Sequence, residues 1–491
     1  MKTGMILFLI SFTLFSFVGR AQVGTFSRVY SGSSYDEGIK SFHLADHTYR
    51  IVGNTGSYGW GQTNIWLIAL DSAGNFLWHK TYGKGGFDKA ENATMDSQGN
   101  IYVIGTSSSQ AQMSFQMMFL GIDKGGNAFT TSYIGGSDWD FGYGIKLITD
   151  TSFLIVGQTY NSTHGQADAR VLEVDKQGNI SWTKTIGGKL KEVFYGVDRL
   201  ANGDIVCCGM TQSYGNGSFD PCLCRLTANG DSLWFKSLPD STDGGFYDLI
   251  INADTDIVAV GFQEDTAFQL MDLSAMAFHN NGDLFWDRIS LRHRKYAYYK
   301  SILTEGNKYV VAGMSTKYGS GGQNIYGSKL RHDGWWQSSF VFGGNKDDYA
   351  NSITKDTVDG YHYLVTGTTR SYGLSFSGAI IIRMDSAFHA DTVVQITIPS
   401  DINTNMESAE NTILIAPNPV LDKLLISNIK NKQHALLYID VYDTYGRLFY
   451  TNKIPNLSNR IEINTSTWPL GPLFIVVKSG NIVFKTTLLH L

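Results

Sequence analysis

A glycine recurs along this chain at an almost constant interval. Each copy ends a short apolar segment of the pattern hydrophobic-hydrophobic-x-Gly; five successive intervals are 52 residues long and the sixth is 54. These marker glycines are Gly53, Gly105, Gly157, Gly209, Gly261, Gly313 and Gly367. A period of this length, carried by seven units, is typical of a repeat architecture in which each unit is one small supersecondary motif.

Each unit has the sequence texture of four short strands. In the first unit the strand-like segments are 38–45, 49–55, 64–71 and 76–82, with a glycine-centred turn before the last. Charged residues make up only 17% of the chain and apolar residues 43%, which agrees with strands covered on both faces. The sequence therefore predicts an all-β fold, a seven-bladed β-propeller, over residues 22–398. An open solenoid is the competing architecture.

The start of the propeller carries an extra copy of the fourth strand. Phe26 and Tyr30 lie 52 residues before Trp78 and Tyr82, the matching positions of the first unit. A lone outer strand ahead of the first blade can complete the last blade and close the ring, so we expect the N-terminal strand to do this. The segment 391–398 is the alternative for the same place.

The N-terminus predicts export. Residues 1–21 have Lys2, an apolar run and then Gly19 and Ala21 at the −3 and −1 positions of a signal-peptidase site. No cysteine follows the cleavage point, which argues against a lipoprotein anchor, and no later segment approaches the about 20 apolar residues of a membrane span. A net charge of −5 argues against a nucleic-acid binder.

Acidic residues recur 17 positions before the first four marker glycines: Asp36, Asp88, Asp140 and Glu192. They could be calcium ligands or a catalytic carboxylate ring. However, a residue present in nearly every blade serves what all blades share, so we interpret these acids as folding residues. A ligand site should instead lie where the repeat is broken.

The clearest break is the connection from blade five to blade six. Other connections carry glycines, whereas this one is basic and aromatic and supplies the candidate ligand-binding residues Arg292, His293, Arg294, Lys295, Tyr296 and Tyr298. Guanidinium groups beside tyrosines suit carboxylates, sulfates or sugar rings. We expect this loop to open on the same face as the Ser-Tyr-Gly loops between second and third strands. A solvated loop with packing tyrosines is the alternative.

The second break is blade four, which holds all four cysteines of the chain: Cys207, Cys208, Cys222 and Cys224. In an exported protein a disulfide among them is feasible. Strand alternation puts Cys222 and Cys224 on one face, which only one of the vicinal pair shares, so at most one cross-strand bridge is expected. Buried thiols are the simpler alternative, and a zinc site lacks its usual spacing.

Catalytic signatures are absent from the sequence. There is no HExxH, GxSxG or Walker motif, no metal-ligand spacing, and no visible convergence of blade-specific polar residues on the propeller axis. We therefore expect a binding or adhesion module without cofactor or metal, its partner an extracellular glycan or protein. The alternative is a secreted carbohydrate-active enzyme, a lyase or hydrolase, in the central pocket, because glycosidase carboxylates come from distant positions.

The sequence pattern of the repeats ends at a polar linker, 399–411. Residues 412–491 show alternating strands that predict a small β-sandwich. The module also resembles the type A C-terminal sorting domain of type IX secretion cargo from Bacteroidetes. The matching residues, in order, are Pro417, Asn418, Pro419, Asp443, Gly446, Arg447, Gly471 and Lys485. The segment "GPLFIVV" departs from the family, which more often has Gly, a variable residue and Tyr.

The resemblance implies a secretion route. A chain of this family enters the periplasm by the Sec route, and an outer-membrane translocon then recognises the C-terminal module, which is usually removed. The cargo is released or attached to the cell surface, so the expected location is secreted or outer-membrane surface. We expect cleavage in 399–411. A carbohydrate-binding or capping β-sandwich is the alternative for this module.

Overall fold

The computed structural model describes residues 24–59, 61–108, 114–161, 165–215, 217–239, 242–254, 256–264, 270–289, 296–356, 362–398, 414–416, 423–427, 436–442, 447–455, 460–469, 471–479 and 482–490. Every regular element in these ranges is a β-strand. Accordingly, they include no helix with the length and apolarity of a membrane span.

The described strands of the repeat region form seven sheets, or blades, around a central channel; their pairing is antiparallel except for one strand pair in the seventh. The strands in chain order are β1 (Phe26–Ser31); blade one, β2 (Asp36–His43), β3 (Tyr49–Thr55), β4 (Asn64–Leu70), β5 (Phe76–Tyr82); blade two, β6 (Asp88–Met95), β7 (Ile101–Ser107), β8 (Gln116–Ile122), β9 (Ala128–Ile134); blade three, β10 (Asp140–Thr149), β11 (Ser152–Thr159), β12 (Asp168–Asp175), β13 (Ile180–Ile186); blade four, β14 (Glu192–Arg199), β15 (Ile205–Thr211), β16 (Asp220–Leu226), β17 (Ser232–Ser237); blade five, β18 (Gly244–Ile251), β19 (Ile257–Glu264), β20 (Met271–Phe278), β21 (Leu284–Ile289); blade six, β22 (Ala297–Glu305), β23 (Lys308–Ser315), β24 (Asn324–Leu330), β25 (Trp336–Phe342); and blade seven, β26 (Asp348–Lys355), β27 (His362–Thr369), β28 (Gly378–Asp385) and β29 (Val393–Thr397). The predicted seven-bladed propeller is confirmed.

The seventh blade combines both ends of the propeller. Its sheet order is β26-β27-β28-β1-β29. The N-terminal strand β1 pairs antiparallel with β28, Phe26 opposite Arg383, and so supplies the fourth strand. Strand β29 then pairs in parallel with β1, Ser27 opposite Val393, as a fifth strand. Both candidate closing segments therefore lie in this sheet, and the N-terminal one is the inner of the two.

Neighbouring blades pack through apolar side chains, and a turn glycine lies under an aromatic ring of the preceding outer strand at every such junction except that of Gly178, which lies against Ser132. A Cβ atom on Gly126 would lie 2.7 Å from the Trp78 ring, and Gly230 has the same relation to Trp182. Both glycines also have positive φ, 79° and 83°. The recurring turn glycine and outer-strand aromatic residue are therefore two halves of one contact between blades.

A buried ionic group joins the first and last blades. We name it the closing cluster: His43, Asp356 and Arg383, whose side chains have no solvent exposure. The Asp356 carboxylate lies 2.5 Å from His43 Nδ1 and accepts a 2.9 Å hydrogen bond from Arg383 Nε. A second Arg383 nitrogen donates to the Gly24 carbonyl at 2.6 Å, just ahead of β1. One cluster thus fastens blade one, blade seven and the N-terminal strand.

The C-terminal module has two antiparallel sheets. Its described strands are β30 (Leu414–Ala416), β31 (Lys423–Ser427), β32 (Leu436–Tyr442), β33 (Leu448–Pro455), β34 (Arg460–Asn464), β35 (Gly471–Ser479) and β36 (Ile482–His490). The sheets have the orders β30-β31-β34 and β33-β32-β35-β36. Ile426 and Ile463 from the first sheet share one core with Ile439 and Ile475 from the second. This is the predicted small β-sandwich.

The closing cluster predicts an acid-sensitive ring. Burial alone would raise the pKa of Asp356, but hydrogen bonds and charge from His43 and Arg383 lower it from 3.8 to about 2. The variant Asp356→Asn leaves Arg383 buried without its counterion, which should lower the free energy of unfolding at neutral pH by about 3–5 kcal/mol. Because the folded-state pKa is depressed, the stabilisation is complete above pH 3.8 and disappears as the pH falls toward 2.

Urea unfolding of both proteins between pH 2 and pH 7 measures this difference. The gap between wild type and Asp356→Asn should be constant at neutral pH and shrink on acidification. The control Asp231→Asn removes an exposed ion pair with Lys184 and should change stability little. Equal effects of the two variants, or a gap that does not depend on pH, would contradict the assigned role of the cluster.

Candidate functional site

Every inner strand contains a β-bulge, and the marker glycine is its partner. In blade one the register shifts between Gly38 and Lys40, so that Ile39 has no partner residue on β3. The bulge brings the Glu37 carbonyl so close that a Cβ on Gly53 would lie 2.2 Å from its oxygen. The other six marker glycines have the same contact, at 1.9–2.1 Å. Glycine recurs there because no side chain fits.

The bulges turn one residue of each blade toward the channel. We name these seven residues the bulge ring: Ile39, Glu91, Tyr143, Tyr195, Tyr247, Lys300 and Asn351. All seven line one cavity of about 500 Å³ inside the channel. Every blade has the same β-bulge, but the residue at the bulge differs between most blades. The bulge ring is therefore the place where the repeated fold becomes specific.

Tyrosines dominate one side of the channel. The ring centroids of Tyr143 and Tyr195 are 5.0 Å apart, those of Tyr195 and Tyr247 5.4 Å, and those of Tyr247 and Tyr298 5.6 Å. Burial raises the pKa of each of the four hydroxyls. They therefore stay protonated at ordinary pH and are available as hydrogen-bond donors. A tyrosine surface of this kind offers both an apolar face and polar tips to a ligand.

Charged groups complete the channel. The Lys89 Nζ atom lies 3.2 Å from Glu91 Oε1 and 3.7 Å from Glu37 Oε1. These three residues form an ionic group that joins the first and second blades. Across the channel, burial raises the pKa of Asp248, whose carboxylate accepts hydrogen bonds from the Leu249 and Ile302 amides at 2.9 and 3.1 Å.

Two further lysines line the lower part of the cavity. Lys146 is paired with Asp198 at 2.8 Å. Lys40 donates to Asn92 at 3.1 Å, and burial lowers its pKa. Ser352 Oγ, also on the lining, is buried and has no hydrogen-bond partner among the described residues. Blade-specific polar groups thus converge on the axis, although no convergence is visible in the sequence.

The recurrent acids act within their own blades. The Asp36 carboxylate accepts hydrogen bonds from the Gly32 amide at 2.7 Å and the Thr55 hydroxyl at 2.5 Å. Glu192 accepts the matching bonds from Gly188 and Thr211 at 2.7 and 3.0 Å. These buried carboxylates hold the loop between blades, which supports the interpretation as folding residues. No group of three or more His, Cys, Asp or Glu side chains in the described ranges could hold a metal ion.

The predicted ligand residues of the fifth connection are only partly described. Arg292, His293, Arg294 and Lys295 lie outside the described residues. Tyr296 is 47% exposed at the start of blade six. Tyr298 packs against Tyr247, so the structure places it beside the bulge-ring tyrosines, although it does not line the cavity itself. The same strand, β22, also carries Lys300.

The spacing between the bulge residue and the marker glycine is a sequence signal for most of the bulge ring. In blades one to five the bulge residue stands 14 positions before the marker glycine, but in blades six and seven it stands 13 and 16 positions before it. Only the structure shows which residue is bulged in those two blades.

The four cysteines are buried free thiols. Cys207 lies opposite Cys224 on the neighbouring strand and shares a core with Cys222 and Cys224, whereas Cys208 packs on the other side of the blade. This is the arrangement that strand alternation predicts. Burial raises the pKa of all four thiols, that of Cys224 to about 12, so they are poor nucleophiles.

The sorting-motif residues are also partly described. Pro417, Asn418, Pro419, Asp443 and Gly446 lie outside the described residues. Arg447 is exposed before β33, Gly471 begins β35, and Lys485 lies on β36 opposite Val476.

Comparison with known proteins identifies the C-terminal module. Residues 414–489 match the family model described as the secretion system C-terminal sorting domain. No curated protein matches the chain significantly. Fold and tail together define an exported β-propeller. The chain is a cargo of the type IX secretion system, and its C-terminal domain directs it to the cell surface or the extracellular space.

Solved structures with a similar fold come from proteins of varied function. The WD40 domain of Neurospora crassa Pan2 is 8% identical, covering 71% of this chain and 89% of that chain, with a TM-score of 0.44. The β-propeller domain of the Trilobed protease from Pyrococcus furiosus is 8% identical over 74% and 95%, with a TM-score of 0.41. The polysaccharide lyase Uly1 is 9% identical over 72% and 91%, also at 0.41. Values this low transfer no function to this chain.

The sorting domain predicts a clear export phenotype. Deletion of residues 412–491 should leave the propeller in the periplasm of a type IX-competent host, because the translocon no longer recognises the chain. Fractionation and immunoblotting of cells and medium measure this. As a control, Cys208→Ala alters a buried propeller residue and should leave export unchanged. Normal export of the deletion variant would show that the recognised signal lies elsewhere.

Proposed function

We propose that this chain is an exported, non-enzymatic binding propeller that captures an extracellular glycan in its central channel. The observation that carries the proposal is the bulge ring. The blades repeat the same strands, turns and marker glycine, but the residue at the bulge differs between most blades. Such a break in symmetry is what a single ligand site requires. The cavity of about 500 Å³ lies within the range of small-molecule and sugar-sized sites.

The chemistry of the channel supports a glycan. Sugar rings have an apolar face bordered by hydroxyl groups, and tyrosine side chains offer a matching apolar ring and hydroxyl. Tyr195 and Tyr247 form the middle of the tyrosine row, with their hydroxyls protonated. Protonated phenols also make poor general bases, which supports binding over base catalysis.

The export route belongs to the same proposal. Residues 1–21 direct the chain into the periplasm, and the sorting domain then directs passage across the outer membrane of a bacterium of the Bacteroidetes. Cleavage within 399–411 releases the propeller, 22–398, to the medium or leaves it attached at the cell surface. A protein that captures glycans outside the cell needs this location. Arg292 and Arg294, which lie outside the described residues, remain predicted ligand contacts.

One observation supports the alternative function, a secreted carbohydrate-active enzyme. Asp248 lies in the channel with its pKa raised by burial, a condition that suits a general acid. A glycosidase would need a second carboxylate in the same cavity, and Glu91 is available there, although it is paired with Lys89.

A glycan array that scores both capture and degradation separates these functions. The full chain should capture a subset of glycans without shortening them. Tyr195→Ala and Tyr247→Ala should each weaken capture about tenfold or more, through loss of stacking area. The control Trp336→Ala removes a 60% exposed aromatic residue on an outer strand and should have no effect. The double variant Arg292→Ala/Arg294→Ala tests the predicted ligand contacts.

Each other outcome has a definite meaning. Degradation of a captured glycan, lost in Asp248→Asn, would replace binding by catalysis. Capture that survives both tyrosine variants but not Trp336→Ala would move the site to the outer surface. Absence of capture for every glycan would exclude a glycan ligand and favour a protein partner.

A further inference from the structure

The bulge ring contains one cation, Lys300, which forms no direct ion pair with a described residue. Burial lowers the pKa of its ammonium group, and the more distant charges of Glu91 and Asp248 raise it in part. The Lys300 ammonium lies 4.2 Å from the centroid of the Tyr247 ring and 5.5 Å from that of Tyr195. It is half-buried and makes no ion pair or hydrogen bond with any described residue. Contact with aromatic faces compensates only part of the lost hydration. An ammonium held in this way favours an incoming anion.

Three tyrosines line the same cavity as Lys300. The phenols of Tyr143, Tyr195 and Tyr247 make no hydrogen bond to a described residue. Because their pKa values are raised, all three carry a proton to donate. Three unused donors beside an unpaired ammonium form an arrangement that binds an oxyanion.

The channel carboxylates act on Lys300 only from a distance, and each has closer partners of its own. Glu91, which faces the same space, is paired with Lys89 at 3.2 Å, and Lys89 also contacts Glu37. Asp248 already accepts two backbone amides. Lys146 is neutralised by Asp198 at 2.8 Å.

The remaining lysines on the cavity lining strengthen the preference for an anion. Lys40 and Lys355 make no ion pair with a described residue, in common with Lys300. The carboxylates of the cavity therefore have donors, whereas three of its ammonium groups make no direct ion pair with any described residue. Asp248 acts on Lys40 only from a distance, as Glu91 and Asp248 do on Lys300. This local excess of positive charge lies inside a chain whose net charge is −5.

We propose that the bulge ring binds the oxyanion of an acidic glycan, with the Lys300 ammonium and the hydroxyls of Tyr143, Tyr195 and Tyr247 as its ligands. This inference rests on the proposed glycan-binding function and names the class of glycan. The oxyanion is either the carboxylate of a sugar acid or a sulfate ester, which share this chemistry. The sugar ring that carries it lies against the tyrosine row.

Isothermal titration of the full chain tests the inference. The probes are an oligogalacturonate, a sulfated oligogalactan and a neutral oligoglucan of equal length. One of the two acidic probes should bind about tenfold or more tightly than the neutral one, as expected for hydrogen bonds to a charged group, and its affinity should fall with added salt. Whichever acidic probe binds identifies the oxyanion.

Variants of Lys300 locate the site. Lys300→Met should abolish the preference for the acidic probe while leaving the weak affinity for the neutral one, and Lys300→Arg should restore much of it. The matched control is Lys317→Met, because Lys317 also lies over a tyrosine ring, at 5.0 Å from Tyr318, but belongs to a loop outside the channel lining. Thermal melting of each variant confirms that it is folded.

The inference is overturned if acidic and neutral probes bind equally, or if Lys300→Met keeps the preference. In both cases capture of a glycan by the channel stands. Absence of binding for every probe and for a full glycan array overturns the proposed function and the inference together.

Discussion

The β-bulge of the inner strands is the constraint on which this propeller depends. It presses one carbonyl oxygen against the marker glycine, at a distance that no Cβ tolerates, and so explains why glycine returns about every 52 residues. The same bulge turns an unpaired residue into the channel. Fold and specificity therefore come from one local feature: the glycine is fixed by sterics, and the residue that faces the channel is left free to vary.

The architecture could be predicted from the sequence because its causes are local and repeated. Four strands per unit, glycine turns and the extra copy of the outer strand around Phe26 are all periodic signals. The acids at positions such as Asp36 could be interpreted in the same way, because recurrence indicates a role in every blade. The resemblance of the C-terminal module likewise rested on residues in a fixed order.

The channel could not be predicted, for a geometric reason. Lys300, Glu91 and Tyr195 come from different blades, each more than 100 residues from the next, and no short motif links them. Their shared position is the bulge, whose distance from the marker glycine changes in the last two blades. Sequence breaks drew attention to the Arg292–Tyr298 connection instead, and that segment leads directly into the strand that carries Lys300.

The position of β1 has a consequence for how the chain reaches its final form. Its partner, β28, is the last strand but one of the propeller, so β1 stays an unpaired edge until nearly 400 residues have left the ribosome. Any chain that stops early keeps two open sheet edges, which are sites for aggregation and proteolysis. The ring therefore depends on chain length: only a chain that extends through β28 pairs both of these edges.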